Sequence, residues 1–190
     1  MLEAAARKGV AVDVVTFPES THTAAQAAAA IGAEVSQIVK SLVFVTPSPA
    51  GGLTPVLALV SGVDRVDLSR LAAVLGASNV RRASADEARS LTGFVIGGIP
   101  PFGHPSPVRT VMDPDLGRFP VVWAAAGTPN AVFAVAPGTL RMLSNAVVAP
   151  IAVESGERIP VGPGPGHDSA AGEAGDGLSG SRPAGAASGA

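Results

Sequence analysis

The sequence predicts an α+β domain built on a mixed, curved, barrel-like β-sheet that is surrounded by helices. Segments with strand character outnumber those with helix character, and several follow one another as hairpins instead of alternating with helices. The helix segments carry start or stop residues at their ends. These observations favour one packed domain over residues 1–154, which is the usual size for a single hydrophobic core.

The elements of the first half are predicted from end residues and alternation. Gly9 and Gly32 end two helices, Thr21 or Thr23 begins the second, and the turn PSPAGGLTP joins two apolar strands into a hairpin. In order, we expect a helix over 2–8, a strand over 10–17, a helix over 24–31, a helical turn over 35–38, and strands over 39–45 and 55–61.

The second half is predicted in the same way. Asp67 caps one helix, Ser84 and Glu87 form a capping box for the next, and Pro137 begins a third. Glycine and proline make residues 92–108 irregular. In order, we expect helices over 68–75 and 85–91, strands over 108–113, 120–126 and 130–136, a helix over 137–143, and a closing segment over 147–153, with a short strand over 79–83 between the first two helices.

The composition changes at residue 155. Residues 155–190 are rich in Gly, Pro, Ala and Ser and contain almost no large apolar side chain, so we predict a disordered tail. The tail carries a net charge of -2, which leaves residues 1–154 neutral. A neutral domain has no strong field that would by itself indicate a nucleic acid or membrane partner.

Composition also excludes several kinds of site. The chain has no Cys and only three widely spaced His, so we expect no disulfide, no cysteine nucleophile, no metal and no cofactor. Neither a Walker A loop nor HExxH or GxSxG occurs, and residues 1–154 contain no GxGxxG. Because no apolar run reaches the length of a membrane span and no signal peptide is recognisable, we expect no membrane contact and a cytoplasmic location.

Lys40 is the first candidate functional residue, because it places an ammonium inside the apolar strand segment QIVKSLVFV. One interpretation is that its stem passes along the sheet edge and its charge meets water or a carboxylate. The other is that a partly desolvated amine points into a cleft and meets an anionic or carbonyl-bearing substrate.

The loop VIGGIPPFGHPSPV is the second candidate. Glycine lets a backbone approach a ligand closely and proline keeps it stiff, so the loop can present N–H groups to a reacting carbonyl. The alternative is a structural Ω-like crossover.

Together these segments resemble a known family. The pattern TxxAAxA from Thr21, then QIVKSLVFV, TGFVIGGIPPFGH and VVWAAAGTPNAVFAVAP, is similar to the YbaK/EbsC/ProX group of aminoacyl-tRNA deacylases and to the editing domain inserted in prolyl-tRNA synthetases. The resemblance covers about residues 1–150 and implies the YbaK/ProRS-associated domain fold.

The resemblance implies a role for each matching residue. It implies that Lys40 holds the terminal adenosine phosphate or the acyl end of the substrate. It also implies that the backbone of residues 97–101 lines the acyl site. The implied catalytic residues are Lys40, Gly97, Gly98 and Pro101, and the implied substrate-binding residues are Phe17, Ile99, Pro100, Phe102 and Asn130. Residues 124–126 depart from the family, because all three are Ala where relatives often carry Ser or Gly.

The implied activity is trans-editing, the hydrolysis of the ester at the 3' acceptor end of a mischarged tRNA, with tRNA-Pro carrying Cys or Ala as the expected substrate. Prolyl-tRNA synthetase or an elongation factor is the expected helper. The alternative is a non-catalytic module that binds tRNA or a synthetase.

Three further features favour structural interpretations. Five Arg between residues 65 and 89 can touch acceptor-stem phosphates, but acids lie among them and favour a solvated charged face. His104 is expected to be an exposed loop residue, and Trp123 is expected to belong to the core.

Overall fold

The computed structural model describes residues 1–18 and 23–153, so the predicted tail at 155–190 lies outside the described residues. The helices are α1 Leu2–Ala6, α2 Ala24–Ile31, α3 Leu68–Leu75, α4 Ala85–Thr92 and α5 Pro137–Ser144. The strands are β1 Val14–Thr16, β2 Ile38–Pro47, β3 Leu53–Ser61, β4 Arg65–Val66, β5 Arg81–Arg82, β6 Arg109–Met112, β7 Val122–Ala125, β8 Ala131–Val135, β9 Val147–Val148 and β10 Ala152–Val153. Single 3₁₀ turns occupy Val35–Gln37 and Pro114–Arg118.

The main sheet is mixed, as predicted. Its strand order is β1-β8-β7-β2-β3-β6-β9, with β5 as a second partner of β2. The predicted β2–β3 hairpin is antiparallel and lies at the centre, whereas β2 pairs with β7 and β3 pairs with β6 in parallel. The closing segment forms two short strands: β9 joins β6, and β10 pairs with β4 in a separate two-stranded sheet.

The central hairpin separates two apolar clusters because its side chains alternate between the two faces. Val43, Leu57 and Leu59 belong to the larger cluster, which α5 and the loop before β6 also enter. Phe44 and Val60 belong to the smaller cluster, on the face covered by α3. The sheet is therefore buried on both faces.

The predicted N-terminal caps of α2, α3 and α4 are confirmed where the structure describes them. Thr23 and Gln26 form a capping box on α2, Asp67 accepts from two amides of α3, and Ser84 and Glu87 form the box on α4. Thr21, the alternative cap of α2, lies outside the described residues.

Two predicted boundaries at the start of the chain were too long. α1 ends at Ala6 and not at residue 8, and residues 7–9 form a turn that Gly9 completes with a φ of +72°. The strand predicted over 10–17 shrinks to Val14–Thr16, because only these three residues pair with β8. Within the described ranges, no helix has the length and apolar character needed to cross a bilayer.

Candidate active site

A cavity of about 470 Å³ opens beside the middle of β2. Its volume falls within the range of small-molecule sites, roughly 300 to 1,000 Å³. Of the residues predicted for the site, Lys40, Gly97 and Ile99 line it. Apolar residues of β2, α2 and β7 together make up most of the remaining apolar wall.

Lys40 is half-buried in this wall, and its ammonium donates a hydrogen bond to the backbone carbonyl of Asp64. Burial lowers the pKa of Lys40 from its usual value, and the nearby Arg82 and Arg65 lower it further, while the negative charge of Asp64 opposes the shift. Both interpretations of Lys40 find support in the structure. Its ammonium has a protein acceptor, and the residue also lines a cavity.

Asp64 follows β3 in the turn that leads to β4, and it is 5% exposed. Burial raises the pKa of its carboxyl, and the carboxylates of Asp115 and Asp113 raise it further. Its buried Oδ2 has no hydrogen-bond partner among the described residues. Asp64 does not itself line the cavity, but its poorly solvated carboxyl lies close enough to Lys40 for the two opposite charges to interact.

Two residues of the glycine and proline loop combine a place in the cavity wall with an amide that is unpaired among the described residues. The N–H of Gly98 donates to the Val95 carbonyl at 3.0 Å, and Pro100 and Pro101 have no N–H. Gly97 and Ile99, both in the cavity wall, donate to no protein acceptor among the described residues. Gly97 has a φ of +92°, a conformation that favours glycine.

At position 98 glycine is required by close packing, and not by a positive φ as at Gly97. A Cβ at this position would lie 2.7 Å from the backbone carbon of Thr128. The loop thus packs directly on the turn that joins β7 to β8, and Pro129 of that turn lines the cavity. Gly98 shapes the cavity wall through this close approach, and its own N–H is hydrogen-bonded to Val95 and is not available to a ligand.

The other predicted residues lie away from the cavity wall. Phe17 donates its N–H to the Asn130 carbonyl at 2.8 Å, and the Asn130 side chain donates to the Phe17 carbonyl at 3.2 Å, which joins the end of β1 to the β7–β8 turn. Phe102 packs edge-to-face on Phe133, with 5.7 Å between ring centroids. Pro100 and Pro101, like Phe102, are buried and do not line the cavity.

Arg82 lines the cavity, although the sequence favours a solvated charged face for the arginines of this segment. Its neighbour Arg81 forms a two-bond ion pair with Glu87 at 2.7 and 2.8 Å, and this hydrogen bonding lowers the pKa of Glu87 to about 2. Arg82 has no acidic partner among the described residues and lines the cavity. Strand alternation could have separated Arg82 from Arg81 in the sequence, since consecutive strand residues point to opposite faces.

His104 is half-buried, so the expectation that it is an exposed loop residue is wrong, and Trp123 is half-buried as well. His104 packs edge-to-face on Phe94 and does not line the cavity, and burial lowers the pKa of its imidazole. Trp123 packs against the small apolar cluster formed by α2 and Ile38, as expected for a core residue, and also lines the cavity. Across residues 1–18 and 23–153, no group of three His, Asp or Glu is arranged to hold a metal ion.

Comparison with known proteins identifies the family. The model of the aminoacyl-tRNA editing domain matches residues 18–143. The chain is 33% identical to the YwhH protein of Bacillus subtilis over 132 residues, 70% of this chain and 81% of that protein. It is 27% identical to a protein of Enterococcus faecalis provisionally named Cys-tRNA(Pro)/Cys-tRNA(Cys) deacylase EbsC, over 71% of this chain and 80% of that one.

A solved structure agrees with these sequence matches. A crystal structure provisionally described as a trans-editing enzyme for prolyl-tRNA synthetase superposes with a TM-score of 0.70 at 46% identity, covering 78% of this chain and 92% of the other. The cavity beside β2, with its lysine and its glycine and proline loop, therefore lies in a chain that belongs to the aminoacyl-tRNA editing family.

Proposed function

We propose that the protein is a trans-editing aminoacyl-tRNA deacylase that hydrolyses the ester of a mischarged tRNA, with tRNA-Pro carrying Cys or Ala as the substrate. One observation carries the proposal. Lys40 lines the same cavity as Gly97 and Ile99, whose amides are unpaired among the described residues, in a chain of the editing family.

The two amides act on the ester carbonyl. When a water oxygen attacks the carbonyl carbon, the electron pair of the C=O bond moves onto the carbonyl oxygen, and the N–H groups of Gly97 and Ile99 stabilise that charge. Collapse of this intermediate breaks the ester bond and releases the amino acid. The proton lost by the attacking water ends on the ribose oxygen, which leaves as the tRNA hydroxyl.

No protein nucleophile is required. An aminoacyl ester is already activated, so positioning and charge stabilisation supply the acceleration. The neighbouring ribose hydroxyl, or the thiol of a cysteinyl substrate, assists the attack. Gly98 and Pro101 support the loop in this mechanism, since neither has an amide free for the substrate.

Lys40 and Arg82 hold the charged end of the tRNA. Arg82 is exposed and has no acidic partner among the described residues, so its guanidinium can form two parallel hydrogen bonds with a phosphate. Lys40, tied to the Asp64 carbonyl, is a fixed point charge deeper in the wall. Phe17 and Asn130 contribute by joining β1 to the turn that carries Pro129.

The partners follow from the charge balance. Because residues 1–154 are neutral, the domain makes few phosphate contacts. We propose that prolyl-tRNA synthetase or an elongation factor delivers the tRNA, and that the reaction takes place in the cytoplasm.

A deacylation assay tests this function. Purified protein is incubated with tRNA-Pro carrying Cys, Ala, Ser or Pro, and with Ala on its own tRNA as a matched control for the tRNA. We expect rapid hydrolysis of Cys- or Ala-tRNA-Pro and slow hydrolysis of the correctly charged species. Hydrolysis no faster than in buffer for every substrate would reject the deacylase.

One observation favours a non-catalytic binding module as the second candidate. Ala124 and Ala125 line the cavity and offer no side-chain hydrogen bond to an acyl group. A module of this kind would bind uncharged and mischarged tRNA with equal affinity and leave the ester intact, so the same assay, with binding measured in parallel, separates the two functions.

A further inference from the structure

The outer edge of β2 is interrupted at the cavity. At its start β2 pairs with β7, and Val39 is the last residue of that pairing. Towards its end β2 pairs with β5 from Phe44 onward, and the N–H of Ala83 donates to the Val43 carbonyl at 3.0 Å. Between these two partners, neither strand covers the edge of β2.

The alternation of the backbone identifies the groups that face the gap. Since the Val43 carbonyl points outward to Ala83, the backbone of Ser41, two residues earlier, points to the same edge. The opposite strand agrees: Leu59, the partner of Ser41, turns its carbonyl away to the Asp113 amide at 2.9 Å. The outward groups are therefore the N–H and C=O of Ser41 and the N–H of Val43.

None of these three groups has a protein partner within the described ranges. Both residues line the cavity, and the Ser41 hydroxyl is also buried without a partner. Backbone groups in a folded protein are almost always paired, with protein, water or ligand. The gap is thus a short stretch of sheet edge that is open to whatever occupies the cavity.

The surroundings of the gap suit a flat, uncharged ring. The side chains of Leu42, Val43, Ala83 and Ala88 line the cavity around it and are apolar. Lys40 precedes the gap in β2, and Arg82 lies next to Ala83 on the far side. A ring in this position has a cation at each end, where a linked phosphate can bind.

We propose that the gap binds the Watson–Crick edge of the terminal adenine of the substrate. The Ser41 carbonyl accepts a hydrogen bond from the N6 amine, and the Val43 N–H donates to N1. The proposal rests on the deacylase function, because the 3' end of tRNA is an adenosine. The pair of groups also selects the base, since hypoxanthine and guanine have an acceptor at position 6 and a donor at position 1.

Substitution of single atoms in the substrate tests the proposal. Alanyl minihelices of tRNA-Pro are prepared with terminal adenosine, purine riboside, 1-deazaadenosine, inosine or 7-deazaadenosine, and kcat/KM is measured for each. Purine riboside lacks the N6 donor and 1-deazaadenosine lacks the N1 acceptor, so the kcat/KM of each should be about five- to tenfold lower than that of adenosine. Inosine has an acceptor in place of the donor and a donor in place of the acceptor, so its kcat/KM should be about a hundredfold lower.

The 7-deaza substrate is the matched control, because it changes a ring nitrogen that the proposed contacts do not use. Its kcat/KM should lie within twofold of that of the adenosine minihelix. Hydrolysis of the adenosine minihelix with equal rates for all five would overturn the adenine site while leaving the deacylase intact. A loss for 7-deazaadenosine without a loss for 1-deazaadenosine would also overturn the assigned edge.

A binding measurement keeps the two proposals distinguishable. Amide spectra of ¹⁵N-labelled full-length protein are recorded with adenosine monophosphate and with inosine monophosphate. We expect the Val43 and Ser41 amides to shift with the first and to shift at most a fifth as far with the second. Shifts of equal size with both nucleotides, or shifts confined to other residues, would reject the adenine site whether or not deacylation is observed.

Discussion

The two lysines of the chain occupy contrasting environments. Lys8, after α1, is exposed and donates to the carbonyls of Met142 and Leu143 and to the Asn145 side chain, at 2.7, 3.0 and 2.9 Å. Lys40 is half-buried in a cavity wall and donates to one backbone carbonyl. One lysine has its hydrogen-bonding capacity filled by protein, and the other retains capacity for a ligand.

The contrast separates two uses of the same side chain. Lys8 lies at the carboxyl end of α5, where the terminal carbonyls lack helical partners and a cation is favourable. It joins α1 to α5 and stabilises the fold. Lys40 sits where burial lowers its pKa, so its charge is maintained at a cost to the fold, as expected for a group used by the substrate.

The largest expected effect is on Lys40. Lys40→Ala should lower the single-turnover deacylation rate by about 10² to 10³, the usual scale for losing one preorganised electrostatic group, and should leave the fold intact. Lys8→Ala is the matched control and should do the opposite, with unchanged activity and a loss of about 1 kcal/mol in the free energy of unfolding. Circular dichroism melts and deacylation assays of both variants check this.

Lys40→Arg sharpens the same comparison. A planar guanidinium cannot replace a compact ammonium in a narrow wall, so this variant should also be inactive although its charge is kept. Full activity of Lys40→Ala would leave Lys40 as a second structural lysine and remove it from the mechanism.

The fold and the place of Lys40 within a strand could be predicted from the sequence, because alternation, caps and turn residues are local signals. The β2–β3 hairpin and the caps at Asp67 and Ser84 follow from such signals. The site was less predictable. The bond from the Gly98 amide to the Val95 carbonyl depends on the exact path of an irregular loop. The gap that β5 leaves along β2 depends on contacts between segments distant in sequence.

The next largest effect is expected in the loop. Gly98→Ala places a Cβ against the backbone of Thr128, which cannot move as a side-chain end can, so the free energy of unfolding should fall by about 2 kcal/mol. The loop should also shift away from the cavity and slow deacylation. Gly117→Ala, where a Cβ meets nothing within 4 Å, is the control and should melt like the wild type. Equal melting of the two variants would contradict the close packing at Gly98.

A third comparison uses the two adjacent arginines. Arg82→Ala removes a guanidinium without an acidic partner from the cavity and should raise KM at least about tenfold, because its charged hydrogen bonds to phosphate are lost, with little change in kcat. Arg81→Ala removes the ion pair with Glu87 and should leave KM unchanged. Steady-state kinetics with the tRNA as varied substrate decide this, and an equal rise in KM for both variants would indicate a general electrostatic effect.

The smallest effect is expected at Asp64, and it depends on pH. Burial raises the pKa of this carboxyl in the folded state, so the folded protein holds its proton more tightly than the unfolded chain. Stability is then lost as pH rises from about 3.9 through the raised pKa. Asp64→Asn removes the penalty and should add about 1 kcal/mol to the free energy of unfolding at pH 7, with the gain vanishing below about pH 3.9.

The same substitution also alters Lys40. Without the negative charge of Asp64, the pKa of Lys40 should fall further below its usual value, while the backbone carbonyl that holds its ammonium remains. Because the protonated form is the one that acts, the alkaline limit of deacylation should move to lower pH in Asp64→Asn. Rates corrected for spontaneous ester hydrolysis, measured from pH 6 to 9 for both proteins, test this, and an unchanged alkaline limit would show that Asp64 does not support the charge of Lys40.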